Sequence, residues 1–429
     1  MGILIPCRLP CHSDHKELSH SHSNHLHSES SNTSSLSSQP SLPSVPSLTT
    51  PYSDQQQQHG QTQTIQHHCL ATLGSNSSYV SSLVVAGKFL YSGSSDSQIR
   101  ARSRVPSTIN NSSNSLVAVA GSAVKCLVIL GDKLFSAHQD HKIRVWKIDH
   151  HESTQTQRYK CIGTLPTLND RFTRFFSAKN YVEVRRHKKC TWVHHVDTVS
   201  ALAISKDGSL LYSASWDRTF KVWRTSDFRC LESVSKAHDD AINAIALSSD
   251  GCAYTGSADK KIKLWMRKPG GHNYKHFLVA TLEKHLSAVN ALALSSDGSM
   301  LYSGACDRSI LVWEREGGDS DDGCNNNGMV VVGALRGHTK AILCLGVVDD
   351  LLFSGSADYS VRIWRRGVDK RFSCMGVLEG HGRPVKCLTV TADCNNDRDG
   401  SHNSGAVYLV YSGSLDGDVK AWNIWVPFL

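Results

Sequence analysis

Beyond residue 65 the chain consists of short runs of alternating apolar and polar residues, broken at near-regular intervals by small polar turns. Seven stretches share one form, an apolar strand, a tight turn carrying an aspartate, and a second alternating strand. They read LYSGSSDSQIRAR (90–102), LFSAHQDHKIRVW (134–146), LYSASWDRTFKVW (211–223), AYTGSADKKIKLW (253–265), LYSGACDRSILVW (301–313), LFSGSADYSVRIW (352–364) and VYSGSLDGDVKAW (410–422). A period of two on both sides of a turn is the signature of a β-hairpin. Ahead of most copies lies a further apolar strand, such as VSALAIS or VNALALS, usually followed by an Asp-Gly turn. Ahead of that strand stands a histidine: His195, His238, His285, His338 and His381. The pattern predicts an all-β repeat protein.

Residues 1–64 break with this pattern. They are rich in Ser, His, Gln and Pro, as in SHSNHLHSESSNTSSLSSQPSLPSVPSLTT, and offer too little apolar surface to offset the entropy of ordering. A disordered polar tail is expected there. Its histidines, with Cys7, Cys11 and His12, show no zinc-type spacing, so no metal site is assigned. The apolar start MGILIP is too short for a secretory signal, and Pro6 stands where a myristoylation motif on Gly2 wants Ser or Thr. No run of 18 apolar residues exists to span a membrane. The fourteen cysteines are scattered singly, with no C-x-x-C pair, and those inside strands fit the role of small buried hydrophobes. A reducing cytoplasmic or nuclear setting is expected.

The hairpins resemble those of the WD40 repeat family, and the resemblance covers residues 66–423. Seven copies imply a seven-bladed β-propeller, each blade a four-stranded antiparallel sheet around a central channel. The last copy ends at Trp422 with only NIWVPFL behind it, so blade seven lacks an outer strand. Outer strands elsewhere have a recognisable form, CIGTL (161–165), CLESV (230–234) and CMGVL (374–378), and CLATL (69–73) repeats it ahead of the first hairpin. Residues 66–74 are therefore expected to close the ring. Truncation past residue 66 should destabilise the whole propeller, whereas removing 1–60 should not.

His195, Ser213 and Asp217 invite a hydrolase triad. The same trio recurs as His238/Thr255/Asp259, His285/Ser303/Asp307, His338/Ser354/Asp358 and His381/Ser412/Asp416. A device present once per blade is structural rather than catalytic. The resemblance implies that the turn Asp accepts from the loop His, that the strand hydroxyl bridges, and that Trp223, Trp265, Trp313, Trp364 or Trp422 donates to that hydroxyl. Blade two departs from the pattern with Ala120 in place of the histidine, and blade one with Asn76 for the histidine and Arg102 for the Trp. Those two blades are expected to be the less cooperative part of the ring. Without a phosphate loop, a metalloprotease motif or an isolated nucleophile with its base, neither enzymatic activity nor a cofactor is expected.

Propellers of this family are generally platforms for partner proteins, through the face that carries the histidine loops and Asp turns. The residue before each turn Asp points to that face, and Trp216 is the most prominent of them. Tyr79, Lys125, Asn243, Asn290 and Lys386 occupy the other expected contact positions. They make a mildly basic face that suits a peptide of acidic character. The residues after the repeat tryptophans lack the pattern of ubiquitin-ligase substrate receptors, and the polar head cannot supply the coiled-coil helix of a G-protein β subunit. A monomeric propeller that binds proteins or peptides is expected.

One insertion stands apart. The second and third turn aspartates lie 77 residues apart, against 42 to 58 for later pairs, and the excess falls at 166–191. The stretch 170–189, DRFTRFFSAKNYVEVRRHKK, holds seven Lys or Arg and two acidic residues. The C-x-x-x-L match makes CIGTL the outer strand of blade two, which places the insertion on the Asp-turn face; taking KKCTWV for that strand would move it to the opposite face. The first half predicts a helix with an aromatic stripe of Leu168, Phe172, Phe175 and Phe176 docked on the ring, and Arg171 and Arg174 facing outward. Arg185, Arg186, Lys188 and Lys189 follow in an extended basic strand, a candidate partner surface. The rival reading makes the basic insertion a nucleic-acid contact or a nuclear address. The stretches NYVEVRRHKKCTWVHHVDTVSALAISKDG and AHDDAINAIALSSDG resemble the plant WD40 proteins of the Jingubang type, which implies a non-enzymatic regulator of growth, such as pollen germination or tube growth.

Overall fold

The computed structural model describes residues 45–49, 65–74, 78–104, 115–150, 157–175, 181–185, 188–267, 275–315, 328–367, 369–392 and 405–428. Seven four-stranded antiparallel sheets form a β-propeller. Blades one to six each use four consecutive strands. Blade three, for example, is built from Val199–Ile204, Leu210–Ser215, Phe220–Arg224 and Cys230–Val234. Blade seven takes Val385–Ala392, Gly405–Ser414 and Val419–Pro427 from the C-terminal end and its outer strand, Gln66–Leu73, from the other end of the chain. Gln66 opposes Trp425 and Leu73 opposes Val419, so the expected closure strand is in place. Closure covers the edge of Val419–Pro427 that the last hairpin would otherwise leave open.

The core lies between blades. Each strand presents alternate side chains to its two neighbouring sheets, so the buried clusters straddle the seams: one joins Phe135, Val145 and Leu165 of blade two to Val199, Leu202 and Trp223 of blade three. Along the channel, inner strands are stitched to the next blade by side chains that donate to a backbone carbonyl. Ser81 donates to Val124 O at 2.6 Å, Ser200 to Ile242 O at 2.5 Å, Asn243 to Val289 O at 3.0 Å and Asn290 to Ile342 O at 2.8 Å. In blades six and seven the thiols of Cys344 and Cys387 take this place, reaching Val385 O and Val80 O at 3.8 Å.

Every hairpin turn has the same backbone. The residue after the turn Asp sits at positive φ in all seven blades, as Ser97, His141, Arg218, Lys260, Arg308, Tyr359 and Gly417. Only blade seven uses glycine there; in the other blades a side-chain residue is held in the left-handed region by the turn.

Two additions decorate the outer rim. The first is the insertion. Gln157–Leu165 is the outer strand of blade two, and the helix Leu168–Phe175 follows it, with the Thr167 hydroxyl accepting from Asp170 N at 3.1 Å as an N-terminal cap. The strands Tyr181–Arg185 and Lys188–Thr191 then pair as a small hairpin. The expected orientation of the helix is overturned. Leu168 and Phe172 are 69% and 65% exposed, whereas Asp170 is buried and accepts from Cys230 N, the start of blade three's outer strand, at 3.0 Å. The helix rolls so that Asp170, rather than the aromatic stripe, meets the ring and satisfies a backbone N–H there. Phe176 and Arg186 lie outside the described residues.

The second addition comes from the polar head. Most of 1–64 lies outside the described residues, but Val45–Thr49 is docked on the rim, with Val45 buried beside Trp313 and Ala334. This segment is not a free tail, contrary to the expectation for the head as a whole.

Candidate functional site

The recurrent polar quartets are directional chains. In blade three, Trp223 Nε1 donates to Ser213 Oγ at 2.9 Å, Ser213 Oγ lies 2.8 Å from His195 Nε2, and His195 Nδ1 lies 2.9 Å from Asp217 Oδ2. A carboxylate can only accept, so the proton sits on Nδ1 and Nε2 accepts from the hydroxyl. Blade four repeats this with Trp265, Thr255, His238 and Asp259, blade five with Trp313, Ser303, His285 and Asp307, blade six with Trp364, Ser354, His338 and Asp358, and blade seven with Trp422, Ser412, His381 and Asp416. Each Asp also accepts from the backbone N–H after its histidine, as Asp217 does from Val196 N at 3.0 Å. Burial alone would raise the Asp259 carboxyl, but the bonds from His238 and the turn N–H groups outweigh it and hold the pKa at about 2. Burial also lowers the pKa of His195 and His381, which favours the neutral, proton-sharing imidazole. Every polar atom of the quartet is engaged with another, leaving no hydroxyl poised for attack.

Blade two completes its network by a route the sequence pattern hid. His138, at the end of its own hairpin strand, places Nε2 2.7 Å from Ser136 Oγ and Nδ1 3.1 Å from Ser122 O, while Trp146 Nε1 donates to Ser136 at 2.8 Å. Burial, and then the Arg144 charge, lower the His138 pKa to about 4. Asp140, freed from a histidine, instead takes a two-pronged bond from Arg144, at 3.1 and 2.6 Å. The expectation that blade two lacks a histidine is therefore corrected. A histidine two residues before the turn Asp was the available signal. In blade one, Arg102 replaces the tryptophan and donates to Leu73 O at 2.7 Å and Gly74 O at 3.2 Å, clamping the end of the closure strand. Asn76 lies outside the described residues, and the Ser92 hydroxyl has no partner among them.

At the channel mouth on the Asp-turn face, the expected contact residues of blades one, two and three converge. Lys125 Nζ lies 3.3 Å from Tyr79 Oη and 5.8 Å from the ring centroids of both Tyr79 and Trp216. Trp216 is half-buried, and its backbone N–H donates to Thr198 O at 3.0 Å. Lys386 lines the channel nearby. Desolvation by the surrounding strands, with the Lys125 charge, lowers its ammonium pKa. Among the described residues no carboxylate forms an ion pair with Lys125 or Lys386. Asn243 and Asn290 are on the same ring of positions, but their amide N–H groups are committed to the neighbouring blades.

The insertion's basic residues are not at the mouth. Arg171 is half-buried beside His194, whose pKa is lowered to about 4 by burial and then by Arg171. Arg174 lies in the helix, Arg185 ends the first hairpin strand, and Lys188 and Lys189 begin the second. No helix of the described residues is long and apolar enough to cross a membrane, and no cluster of three His, Cys, Asp or Glu side chains among them could hold a metal ion.

Comparison with known proteins agrees with this geometry. The family described as "WD domain, G-beta repeat" matches at residues 187–224, 228–266, 277–314, 329–365 and 372–423, five successive repeats between residues 187 and 423. The chain is a WD40-repeat protein. It is 24% identical over 252 residues to the apoptotic protease-activating factor 1 of Danio rerio, a match covering 58% of this chain and 17% of the relative. It is 26% identical over 251 residues to the nuclear distribution protein PAC1 of Candida glabrata, covering 53% of this chain and 52% of the relative. The chain thus spans about half or less of these relatives' own length. Among solved structures, the WD40 propeller domain of Doa1 superposes with a TM-score of 0.57 at 20% identity, covering 83% of this chain and 96% of that one. The last likeness shows the fold.

Proposed function

We propose that this WD40 propeller is a non-enzymatic scaffold that binds an acidic segment of a partner protein at the mouth formed by Tyr79, Lys125, Trp216 and Lys386. One observation carries the reading. Two ammonium groups, one partly desolvated and one between two aromatic rings, stand at the channel mouth without an ion-paired carboxylate among the described residues. A carboxylate-bearing peptide would supply the missing charge, and Trp216 would supply an apolar anchor. The likeness to plant proteins of the Jingubang type supports a regulatory role in growth, in the cytoplasm or the nucleus. A pull-down with the wild type, Trp216→Ala, Lys125→Glu and a form lacking 168–189 tests the reading. Loss of bound proteins with the two mouth variants is expected. Retention of all proteins, with loss of RNA or DNA alone on removing 168–189, would replace it by the nucleic-acid reading.

A further inference from the structure

The outer strand of each blade is a sheet edge, with a row of N–H and C=O groups that faces away from the ring. In blade five that strand is Met329–Leu335, and its edge is taken by the chain's own Val45–Thr49 running parallel to it. Leu48 N donates to Ala334 O at 2.9 Å, and Ala334 N donates to Pro46 O at 2.9 Å. Leu48 O then accepts from Phe372 N, the first residue of blade six's outer strand, at 2.9 Å, so the segment spans the seam between the two blades. Its side chains fill two separate clusters. Val45 joins Met329, Trp313 and Ala334, and Leu48 packs with Tyr302, Leu335 and Phe372. Arg336 adds a contact to Val45 O at 3.4 Å.

The groove is shaped for this occupant. Gly333 lies beneath it, and a Cβ on Gly333 would overlap the Leu48 side chain and stand 2.8 Å from Pro46 O. Pro46 lacks an N–H, which suits a residue on a sheet edge. Fifteen residues, 50–64, join the segment to Ile65, beside the closure strand. Extended, they reach roughly 50 Å, and the segment in the groove is the chain's own.

We propose that the seam between the outer strands of blades five and six is a peptide-binding groove for an extended Val-Pro-Ser-Leu-Thr segment, held in cis by residues 45–49. Main-chain bonds give the affinity, and the Val45 and Leu48 pockets give the specificity, as in strand addition at other sheet edges. A site filled in cis resists the same peptide added from solution, because the tethered copy acts at millimolar effective concentration, by the usual order of magnitude for short linkers.

The test uses the full chain and a fluorescent peptide of residues 42–51. The double variant Val45→Asp/Leu48→Asp should bind it saturably, at least tenfold more tightly than the wild type does, and the peptide should raise the variant's melting temperature. A peptide with Leu48→Asp should bind neither protein, and Gly333→Val added to the double variant should abolish binding. Equal binding to wild type and double variant overturns the proposal, as does absence of binding to a double variant that melts cooperatively. A wild type that is dimeric in solution, and becomes monomeric on Val45→Asp/Leu48→Asp, overturns occupancy in cis.

Discussion

His138 shows how much one side chain settles in this fold. It supplies from within its own strand the imidazole that other blades supply from the loop before the inner strand. His138→Ala leaves the Ser136 hydroxyl and the Ser122 carbonyl short of partners, and should destabilise by about 2–3 kcal/mol, the range for an orphaned buried network. Asp140→Ala removes only a part-exposed pair with Arg144, so about 1 kcal/mol or less is expected. Asp307→Ala removes the acceptor for His285, Leu286 N and Ser309 N, and should resemble His138→Ala rather than Asp140→Ala. Thermal melts of the three variants check the order. Two histidines, His138 and His194, add acid sensitivity. His138 and His194 have pKa values of about 4 in the fold, and an unfolded histidine titrates near 6.5, so between those values the unfolded state binds the extra protons. Stability contributed by neutral His138 and His194 is complete above about pH 6.5 and lost as pH falls towards 4. Melting temperature should fall through that window, and less steeply in His138→Asn by about one proton.

At the scale of elements, the outer seams are where this propeller departs from seven equal blades. The helix Leu168–Phe175 latches the seam between blades two and three through Asp170, and Val45–Thr49 bridges the seam between five and six. Between three and four, His276 joins Glu232 at 2.7 Å and Tyr212 at 3.1 Å. Asp170→Ala should raise hydrogen exchange at Cys230 and across 168–191 while leaving the ring's core amides protected; uniform exchange across the whole chain would contradict this. Deleting 1–60 removes the burial of Val45 and Leu48, and should lower stability by about 2–4 kcal/mol at the usual value per buried aliphatic side chain. The sequence-level expectation was no loss. The docking of Val45 and Leu48 argues against that expectation, since SVPSLTT shows only two apolar residues in a polar run, and the Gly333 groove is what makes them count. The repeats were legible for the opposite reason: seven hairpins with a shared turn reinforce one another, whereas a single docking event repeats nothing. The roll of the insertion helix escapes the sequence in the same way, because its aromatic stripe is visible there and the bond from Cys230 N to Asp170 is not.

At the scale of the molecule, seven sheets, their order and the strand that closes them all follow from patterns in the chain, and the mouth residues Tyr79, Lys125 and Trp216 were brought together as their positions implied. What the pattern could not assign was commitment. Asn243 and Asn290 occupy contact positions yet are engaged in holding blades together, a distinction that depends on carbonyls some fifty residues away. The ring is only as durable as its closure. Removing residues 66–73 would expose the edge of Val419–Pro427 and release the clamp of Arg102, so melting should become broad and non-cooperative, as calorimetry would show.

The pairing at that closure has a mechanical consequence. Gln66 opposes Trp425 and Leu73 opposes Val419, so the chain enters and leaves the closure ladder at the same end. Tension between the segment before Gln66 and the segment after Pro427 therefore peels the ladder one bond at a time, instead of loading all its bonds together in shear. Val45–Thr49 lies further out on the pulled segment, so it would take the load first, and force spectroscopy should record a small early release before the ring opens like a zip.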